Sequence, residues 1–310
     1  MKPITVSLAL LLTTGLQEPT RRPPLSELES SITRTVKQFR GLMGVAVIDL
    51  STGERLGVNA GLRFPSASTI KTAVMIEAWH QAAEGRVPLD SKFTLRDTDK
   101  VGGSGVLKGL AEGLAVTAAD LVHLMIVVSD NTATNLLIER LGTARVNERL
   151  DSYGLRETRL FRPTFRDGKA DVLPELEREY GLGMTTPMEM ARLMALIAEG
   201  KAVNGEASKR MRATLGRQQD RAMIPRLLPS GRGVTVGSKS GMDEEKQPAA
   251  GGVRNHVRAD AGIVSGPGFS YAIAIYARQV EDRRWSVDNE ALTTGARISR
   301  LVFDHFAPAR

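Results

Sequence analysis

Residues 64–83 have the sequence FPSASTIKTAVMIEAWHQAA, and this stretch decides the fold. From Thr69 to Ala83 its apolar residues lie on all sides of a helical projection, which is typical of a helix buried in a protein core. At its start, Ser68 precedes Lys71 by three positions, and residues three apart share one face of a helix. The spacing therefore places a hydroxyl beside an amine at the start of a central helix.

This pair of side chains suits nucleophilic catalysis. A serine hydroxyl is a weak nucleophile until a neighbouring base takes its proton. A buried lysine can lose its charge and act as that base. The sequence therefore predicts Ser68 as a nucleophile and Lys71 as its activating partner.

Two later polar clusters could share this site. Ser129-Asp130-Asn131 lies between two predicted helices, where a hydroxyl and an amide suit proton transfer and amide recognition; a simple helix N-cap is the alternative. Lys239-Ser240-Gly241 ends a predicted strand, where it could bind a carboxylate and let a ligand approach the backbone. Taken alone, Lys239-Ser240-Gly241 is explained better by an exposed strand end that leads into a turn.

The elements around these clusters predict an α+β fold. A helix over residues 25–39 and strands over 43–50 and 55–59 come first, and helices dominate from residue 66 to residue 200. Three strands, within residues 233–241, 258–264 and 271–276, and a final helix over 289–306 complete the chain. The simplest arrangement is an antiparallel five-stranded sheet made from both chain ends, flanked by helices, with an inserted all-helical lobe. We expect residues 25–65 and 205–310 to form the α/β lobe and residues 66–204 the helical lobe.

Composition excludes several other classes of function. The chain has 310 residues, no cysteine and a net charge of +7 without long runs of like charge. Disulfides, thiolate catalysis and cysteine-bound zinc are therefore excluded. With 5% aromatic residues, the chain lacks the stacking residues expected of a nucleic-acid-binding protein. No zinc-protease, phosphate-loop or dinucleotide motif is present. Ser104 lies in a glycine-rich segment that we interpret as a loop beside the cleft.

The N-terminus predicts export. Lys2 precedes an apolar run from Ile4 to Leu16, which is too short to span a bilayer. It is typical of a signal peptide, which we place at residues 1–20; a disordered or membrane-grazing tail is the alternative. The mature protein is then expected to be periplasmic or secreted, without stable membrane insertion, and monomeric.

The three polar clusters, in this order, resemble the signature of class A β-lactamases and related penicillin-recognising enzymes. The resemblance extends to residues 64–71, to residues 120–137 around the second cluster, and to Thr185-Thr186-Pro187 followed by a helix. It covers roughly residues 25–306. It implies a serine hydrolase that opens the β-lactam amide through an acyl-enzyme.

The resemblance also assigns roles in acylation. Ser68 attacks the β-lactam carbonyl after Lys71 activates it, and Ser129 passes a proton to the leaving nitrogen. The backbone N–H groups of Ser68 and Met242 form the oxyanion hole. No metal or cofactor takes part.

Substrate binding is assigned by the same resemblance. Asn131 holds the substrate amide, Lys239 and Ser240 bind the substrate carboxylate, and Gly241 lets the ligand approach the strand. The substrate is a small β-lactam or a peptide that ends in D-Ala-D-Ala. A D-Ala-D-Ala peptidase, another serine hydrolase and a slowly deacylating penicillin-binding protein therefore stay open as alternatives.

One family residue has no obvious counterpart. Class A β-lactamases carry a glutamate, on a loop between the second and third motifs, that directs the deacylating water. Aligning the loop from its start places this position at Thr164, and aligning it from its end places it at Leu173. Glu175, Glu177 and Glu179 are the nearby carboxylates, and Glu175 and Glu177 are the predicted deacylation bases. Without such a base, the acyl-enzyme would be long-lived.

Overall fold

The computed structural model describes residues 23–231, 233–249 and 251–307. The predicted signal peptide, residues 1–20, lies outside this range. Among the residues that the structure describes, no helix combines the length and apolar character needed to cross a membrane.

The helical elements account for most of the middle of the chain. The α-helices are α1 (Leu25–Lys37), α2 (Lys71–Ala83), α3 (Ala118–Val127), α4 (Asn131–Leu141), α5 (Thr143–Ser152), α6 (Pro174–Tyr180), α7 (Pro187–Ala198), α8 (Gly205–Leu215) and α9 (Glu290–Phe306). Short 3₁₀ helices span Ala67–Ile70, Asp97–Asp99 and Leu107–Gly109.

The strands form one large sheet and two small ones. They are β1 (Leu42–Asp49), β2 (Arg55–Val58), β3 (Phe64–Pro65), β4 (Lys92–Thr94), β5 (Ala115–Thr117), β6 (Arg159–Leu160), β7 (Gly183–Thr185), β8 (Thr235–Glu244), β9 (His256–Gly266) and β10 (Phe269–Val280). The large sheet has the order β2-β1-β10-β9-β8, and all its neighbours are antiparallel. The predicted α+β class, with five antiparallel strands from both chain ends, is confirmed.

Both faces of the sheet are buried. Alternate residues of a strand point to opposite faces. Accordingly, Val45 and Val47 of β1 contact the cluster that includes α1 and α9, whereas Ala46 and Ile48 contact the larger cluster that includes α2 and α7. The terminal helices and the helical segment therefore sandwich the sheet.

Helix α2 lies at the centre of the helical part. Val74, Met75 and Ile76 are each at most 1% exposed, as a helix with apolar residues on every side requires. Its start differs from the prediction, because residues 67–70 form a 3₁₀ turn before the α-helix begins at Lys71. Ala67 has a φ of 42°, in the left-handed region, and this turns the chain sharply into the helix.

Capping residues fix the helices that carry the later motifs. Thr117 and Asp120 form the predicted capping box at the start of α3. Thr186 caps α7, with Pro187 in its first turn, as the sequence predicts. Helices α5 and α8 are additional to the prediction. Their sequences are mainly polar, but Val146 and Leu150 in α5 and Ala207, Met211 and Leu215 in α8 recur at helical spacing and are buried.

Candidate active site

The three polar clusters meet around one cavity. Its volume is about 690 Å³, and its lining includes Ser68, Ser129, Asn131, Ser240 and Met242. The nucleophile segment supplies one wall, the α3–α4 junction a second, and the exposed edge strand β8 a third. Residues far apart in the sequence therefore surround one half-buried hydroxyl.

The three residues at the α3–α4 junction have different roles. Asp130 is structural: its side chain caps α4 through the N–H of Ala133 and also accepts from the N–H of Val106 at 2.6 Å. Ser129 has a φ of 55°, a left-handed conformation that costs about 1–3 kcal/mol in a residue with a side chain. This conformation separates the capping carboxylate from the Ser129 hydroxyl, which lines the cavity. The N-cap interpretation therefore holds for Asp130, while its two neighbours remain available for chemistry.

Lys71 is buried beneath the cavity. Its Nζ donates to Ser129 O at 2.8 Å, to Ser129 Oγ at 3.1 Å and to Asn131 Oδ1 at 2.8 Å. Burial, and then the nearby charge of Lys239, hold the pKa of Lys71 well below its ordinary value. An amine that loses its proton readily, one helical turn from Ser68, has the property required of a general base.

Lys239 is a second buried amine that contacts Ser129. Its Nζ donates to Ser129 Oγ at 3.2 Å and to Ser240 O at 2.7 Å. Burial lowers the pKa of Lys239 to about 8, against the opposing charges of Asp220 and Asp260. The Ser129 hydroxyl therefore bridges two buried amines, in a site that favours an anionic ligand.

Strand β8 passes very close to the nucleophile. A Cβ on Gly241 would lie 3.0 Å from Ser68 N, 3.1 Å from Ala67 Cβ and 3.2 Å from Ser66 O. Only glycine fits this approach without displacing backbone. The contact brings the start of the nucleophile turn against the strand that carries Met242, which the proposed oxyanion hole requires.

Buried hydroxyls hold the nucleophile turn from behind. Thr69 Oγ1 donates to Ser66 O at 2.6 Å and lies 2.6 Å from Tyr276 Oη. Tyr276 belongs to β10, and burial raises the pKa of its hydroxyl far above the ordinary value, so it stays protonated. The turn is therefore anchored to the centre of the sheet.

The loop of residues 161–182 closes another side of the cavity. Thr164, 6% exposed, lines the cavity. Its N–H and hydroxyl both donate to Asn135 Oδ1, at 2.7 and 2.9 Å, and Asn135 Nδ2 donates to Thr164 O at 3.1 Å. Three hydrogen bonds to helix α4 thus fix Thr164, one of the two alignment positions for the missing glutamate.

The predicted carboxylates lie elsewhere. Glu177 is buried, and its Oε1 accepts from Arg162 Nε at 2.7 Å and from Gly168 N at 3.1 Å. Glu175 is exposed in the first turn of α6, and Leu173 precedes that helix. None of Leu173, Glu175 and Glu177 lines the cavity. The structure brings Ser68, Lys71 and the later clusters together but does not bring these carboxylates to them.

Sequence reasoning missed two aromatic residues of the site. Phe165 and Trp285 both line the cavity and are 58% and 59% exposed. Trp285 lies in a loop between β10 and α9 and belongs to no periodic pattern, so the sequence does not mark it in advance. Within the described ranges, no group of three or more His, Cys, Asp or Glu side chains could hold a metal ion.

Comparisons with known proteins find similar sequences and similar structures. The family model for the β-lactamase enzyme family matches residues 27–306. The β-lactamase CARB-3 of Pseudomonas aeruginosa is 27% identical over 219 residues, which cover 69% of this chain and 73% of the relative.

Solved structures show the same similarity over more of the chain. A β-lactamase from Sphaerobacter thermophilus is 30% identical, with a TM-score of 0.76, and the match covers 91% of this chain and 97% of that one. PBP-A is 28% identical, with a TM-score of 0.74 and the same two coverages. A leucine-to-glutamate variant of PBP-A is described as an acyl-enzyme complex with penicillin G.

Proposed function

The chain belongs to the β-lactamase enzyme family, as a class A-like serine hydrolase, and from this premise we propose that it hydrolyses β-lactams through a slowly released acyl-enzyme on Ser68. The observation that supports acylation is that Ser68 and Ser129 line one cavity, and that Lys71 and Lys239 both donate to the Ser129 hydroxyl. The observation that supports slow release is the position of Thr164.

Acylation follows from the placement of the two amines. Neutral Lys71 takes the proton of Ser68 as the hydroxyl attacks the β-lactam carbonyl. The backbone N–H groups of Ser68 and Met242 stabilise the developing oxyanion, the interaction that commonly contributes most to acyl transfer. Ser129, already hydrogen-bonded to Lys71, passes a proton to the departing nitrogen as the ring opens.

Substrate binding follows from charge and hydrogen-bonding groups. Protonated Lys239 and the Ser240 hydroxyl bind the substrate carboxylate, and the backbone of Gly241 lies flush against the ligand. Asn131 donates to the carbonyl of the substrate side-chain amide from its Nδ2, whose other contact is Gly102 O at 3.1 Å. All these groups belong to one chain, so a monomer is sufficient.

Hydrolysis of the acyl-enzyme requires a base that can activate water. Thr164 carries a hydroxyl rather than a carboxylate, and that hydroxyl already donates to Asn135. A neutral hydroxyl can orient water but is a poor proton acceptor at neutral pH. We therefore propose that hydrolysis of the ester, rather than its formation, limits turnover.

The same feature favours a second function, that of a penicillin-binding D-Ala-D-Ala peptidase. Such an enzyme needs the acylation machinery but gains little from fast release of a β-lactam. Cleavage of a peptide ending in D-Ala-D-Ala, together with a persistent penicillin adduct, would favour this function over β-lactam hydrolysis.

Two further proposals rest on the sequence. The apolar run from Ile4 to Leu16 after Lys2 is typical of a signal peptide, so we propose that the protein is exported to the periplasm or the medium. There, the contribution of such an enzyme to antibiotic resistance would be limited by the rate at which its acyl-enzyme is hydrolysed.

The test compares the rate of acyl-enzyme hydrolysis in three proteins. Wild type, Thr164→Glu and the matched control Thr164→Gln are mixed with a chromogenic cephalosporin, and turnover and intact mass are followed together. We expect a burst and a persistent adduct for wild type, and about a hundredfold faster release for Thr164→Glu only, the lower end of what a general base contributes. Steady wild-type turnover without an adduct would contradict slow release. An unchanged Thr164→Glu would show that Thr164 does not occupy the position of the base.

A further inference from the structure

We propose that Gln218 is a positioning residue for Ser129: its side-chain amide caps the end of helix α3 and thereby holds the Ser129 hydroxyl where it gives its proton to the leaving nitrogen. This inference rests on the proposed function, because it concerns the proton-transfer step of the same site. Gln218 lies outside the three polar clusters, in the segment that follows α8.

Helix α3 ends at Val127, two residues before Ser129. In a continued helix the N–H of Asp130 would donate to Ile126 O. That N–H donates instead to Leu124 O, at 3.1 Å, and Ser129 takes its left-handed φ of 55°. The chain therefore turns out of the helix at the residue whose hydroxyl contacts both buried lysines.

The carbonyls that lose their helical partners are satisfied by one distant segment. Gln218 Nε2 donates to Ile126 O at 2.9 Å, and the backbone N–H of Gln219 donates to Val127 O at 3.1 Å. In a continued helix Val127 O would accept from the N–H of Asn131, which donates instead to a loop carbonyl at 3.0 Å. Residues 218 and 219 therefore supply the partners that the last carbonyls of a helix require.

The Gln218 side chain is held in one orientation. It is 6% exposed, and its Oε1 accepts from Asp220 N at 3.1 Å. Because the acceptor end of the amide is used in this way, the donor Nε2 is the end that faces Ile126 O. Backbone groups on both sides therefore set the position of the amide.

The segment that carries Gln218 is itself anchored. Ile224 N donates to Asp260 Oδ2 at 3.0 Å, and Ser299 Oγ donates to Ile224 O at 2.8 Å. Asp260 belongs to β9 and Ser299 to α9, and both are 0% exposed. The end of α3 is therefore tied, through Gln218, to the large sheet and to the last helix.

A competing backbone arrangement explains why this cap matters. The left-handed conformation of Ser129 costs about 1–3 kcal/mol. Without the Gln218 amide, the buried Ile126 O would lack a partner, at a further cost of about 1–3 kcal/mol. Continuing α3 would relieve both costs, because Asp130 N would then donate to Ile126 O and Ser129 would become helical. The Gln218 hydrogen bond therefore opposes a rearrangement that would move the Ser129 hydroxyl.

Displacement of Ser129 should impair one step selectively. When the β-lactam C–N bond breaks, its electron pair goes to the ring nitrogen, which takes the proton of the Ser129 hydroxyl. Lys71 then passes to Ser129 the proton that it took from Ser68. An amide nitrogen leaves poorly without a proton, whereas a thiolate is stable as an anion and leaves without one. Misplacement of Ser129 should therefore slow β-lactams and spare thioesters.

The experiment compares two acyl donors in wild type and Gln218→Met, which removes the amide and keeps the length of the side chain. Benzylpenicillin has a nitrogen leaving group. The thioester of N-phenylacetylglycine with mercaptoacetate has the same side-chain amide and a carboxylate, but a thiolate leaving group. Intact mass follows acylation by the penicillin, and a thiol-reactive chromogenic disulfide follows release of mercaptoacetate, since the chain has no cysteine to consume it.

The two donors should respond differently. We expect Gln218→Met to slow acylation by benzylpenicillin about tenfold, within the range for a small misplacement of a reacting group, and acylation by the thioester less than about twofold. The ratio of the two rate constants is the readout, because a general loss of structure would slow both.

Gln81→Met is the matched control. Gln81 is 4% exposed, and its Nε2 donates to the carbonyl of Leu141, the last residue of α4, at 3.0 Å. The substitution removes the same kind of helix-end hydrogen bond at a residue that does not line the cavity. We expect it to lower the melting temperature, as Gln218→Met does, and to leave both acylation rates at the wild-type value.

A double variant tests whether Gln218 acts through Ser129. If it does, Gln218→Met should add nothing to the effect of Ser129→Ala on acylation by benzylpenicillin, because effects exerted through one group are not additive. A second loss of about tenfold in the double variant would show that Gln218 acts independently of Ser129.

The outcomes distinguish this inference from the proposed function. If benzylpenicillin acylates wild type but Gln218→Met slows both donors equally, or neither, or if Gln81→Met gives the same pattern, the inference is wrong and the proposed function stands. If the thioester does not acylate wild type, the double variant decides. If benzylpenicillin does not acylate wild type, the proposed function fails, and this inference fails with it.

Discussion

Substitution of Gly241 by alanine tests how closely strand β8 must approach the nucleophile. The new Cβ would lie 3.0–3.2 Å from Ser68 N, Ala67 Cβ and Ser66 O. These atoms are backbone, or a side chain with no rotatable torsion, so none can turn away. Relief requires the strand and the nucleophile turn to separate by a few tenths of an ångström.

The expected decrease in the acylation rate follows from the geometry of the oxyanion hole. Its donors must lie about 2.7–3.1 Å from the oxyanion, and loss of one donor slows acyl transfer by about 10²–10³-fold. The separation moves the donors of Ser68 and Met242 apart without deleting either, so we expect acylation to slow by about 10²-fold, or about 2.7 kcal/mol in the barrier. The Ser68 side chain, Lys71 and Ser129 are untouched.

Single-turnover stopped-flow kinetics with a chromogenic cephalosporin measure this directly. Gly61→Ala is the matched control, because a Cβ there meets nothing within 4 Å and its backbone is not left-handed. Gly61→Ala should acylate at the wild-type rate. If Gly241→Ala acylates within twofold of wild type while its melting temperature is unchanged, the close approach of β8 is irrelevant to the reaction and the reasoning is refuted.

Three further predictions concern charge in and near the site. Lys71→Met should slow acylation at least about a hundredfold, the usual cost of losing a general base; intact-mass time courses measure it, and a normal rate would remove the amine from the mechanism. The acylation rate should rise as pH passes the lowered pKa of Lys71, because neutral Lys71 is the base. The rate should fall above the pKa of Lys239, about 8, because charged Lys239 binds the substrate carboxylate. Lys239→Arg should move only the falling limb to higher pH, since guanidinium stays charged, and an unmoved limb in the pH–rate profile would assign it to another group. Glu177→Gln should lower the free energy of unfolding by about 3 kcal/mol, because it breaks a buried ion pair with Arg162. The control Glu175→Gln, at an exposed position, should change it by less than about 0.5 kcal/mol. Equal urea midpoints for the two variants would contradict a stabilising role for the ion pair.

Much of the fold and site could be predicted because the signals are local. The spacing of Ser68 and Lys71 needs only helical geometry, and the capping box of Thr117 and Asp120 sets the start of α3 without reference to the rest of the chain. The five strands of the large sheet follow from hydrophobic patterns, whereas the short strands β3 to β7 do not. These signals depend on neighbours in sequence, which the sequence displays.

What could not be predicted depends on distant contacts. The identity of the residue opposite the acyl-enzyme depends on where Asn135 anchors the loop, and the two alignments of that loop gave Thr164 and Leu173. Burial of Glu177 depends on Arg162, fifteen positions earlier, folding back onto α6. Trp285 lies in the loop between β10 and α9, and its position depends on contact with Arg258 of strand β9. No periodicity within the sequence encodes such pairings.

Localisation of the acyl group tests the central claim most directly. Wild type is treated briefly with benzylpenicillin, quenched in acid and digested with trypsin, and fragment masses locate the adduct. Cleavage after Arg63 and Lys71 releases residues 64–71, which contain Ser66, Ser68 and Thr69. We predict one adduct, on Ser68. An adduct on Ser66, Thr69 or any other residue, or no adduct at all, would contradict the account.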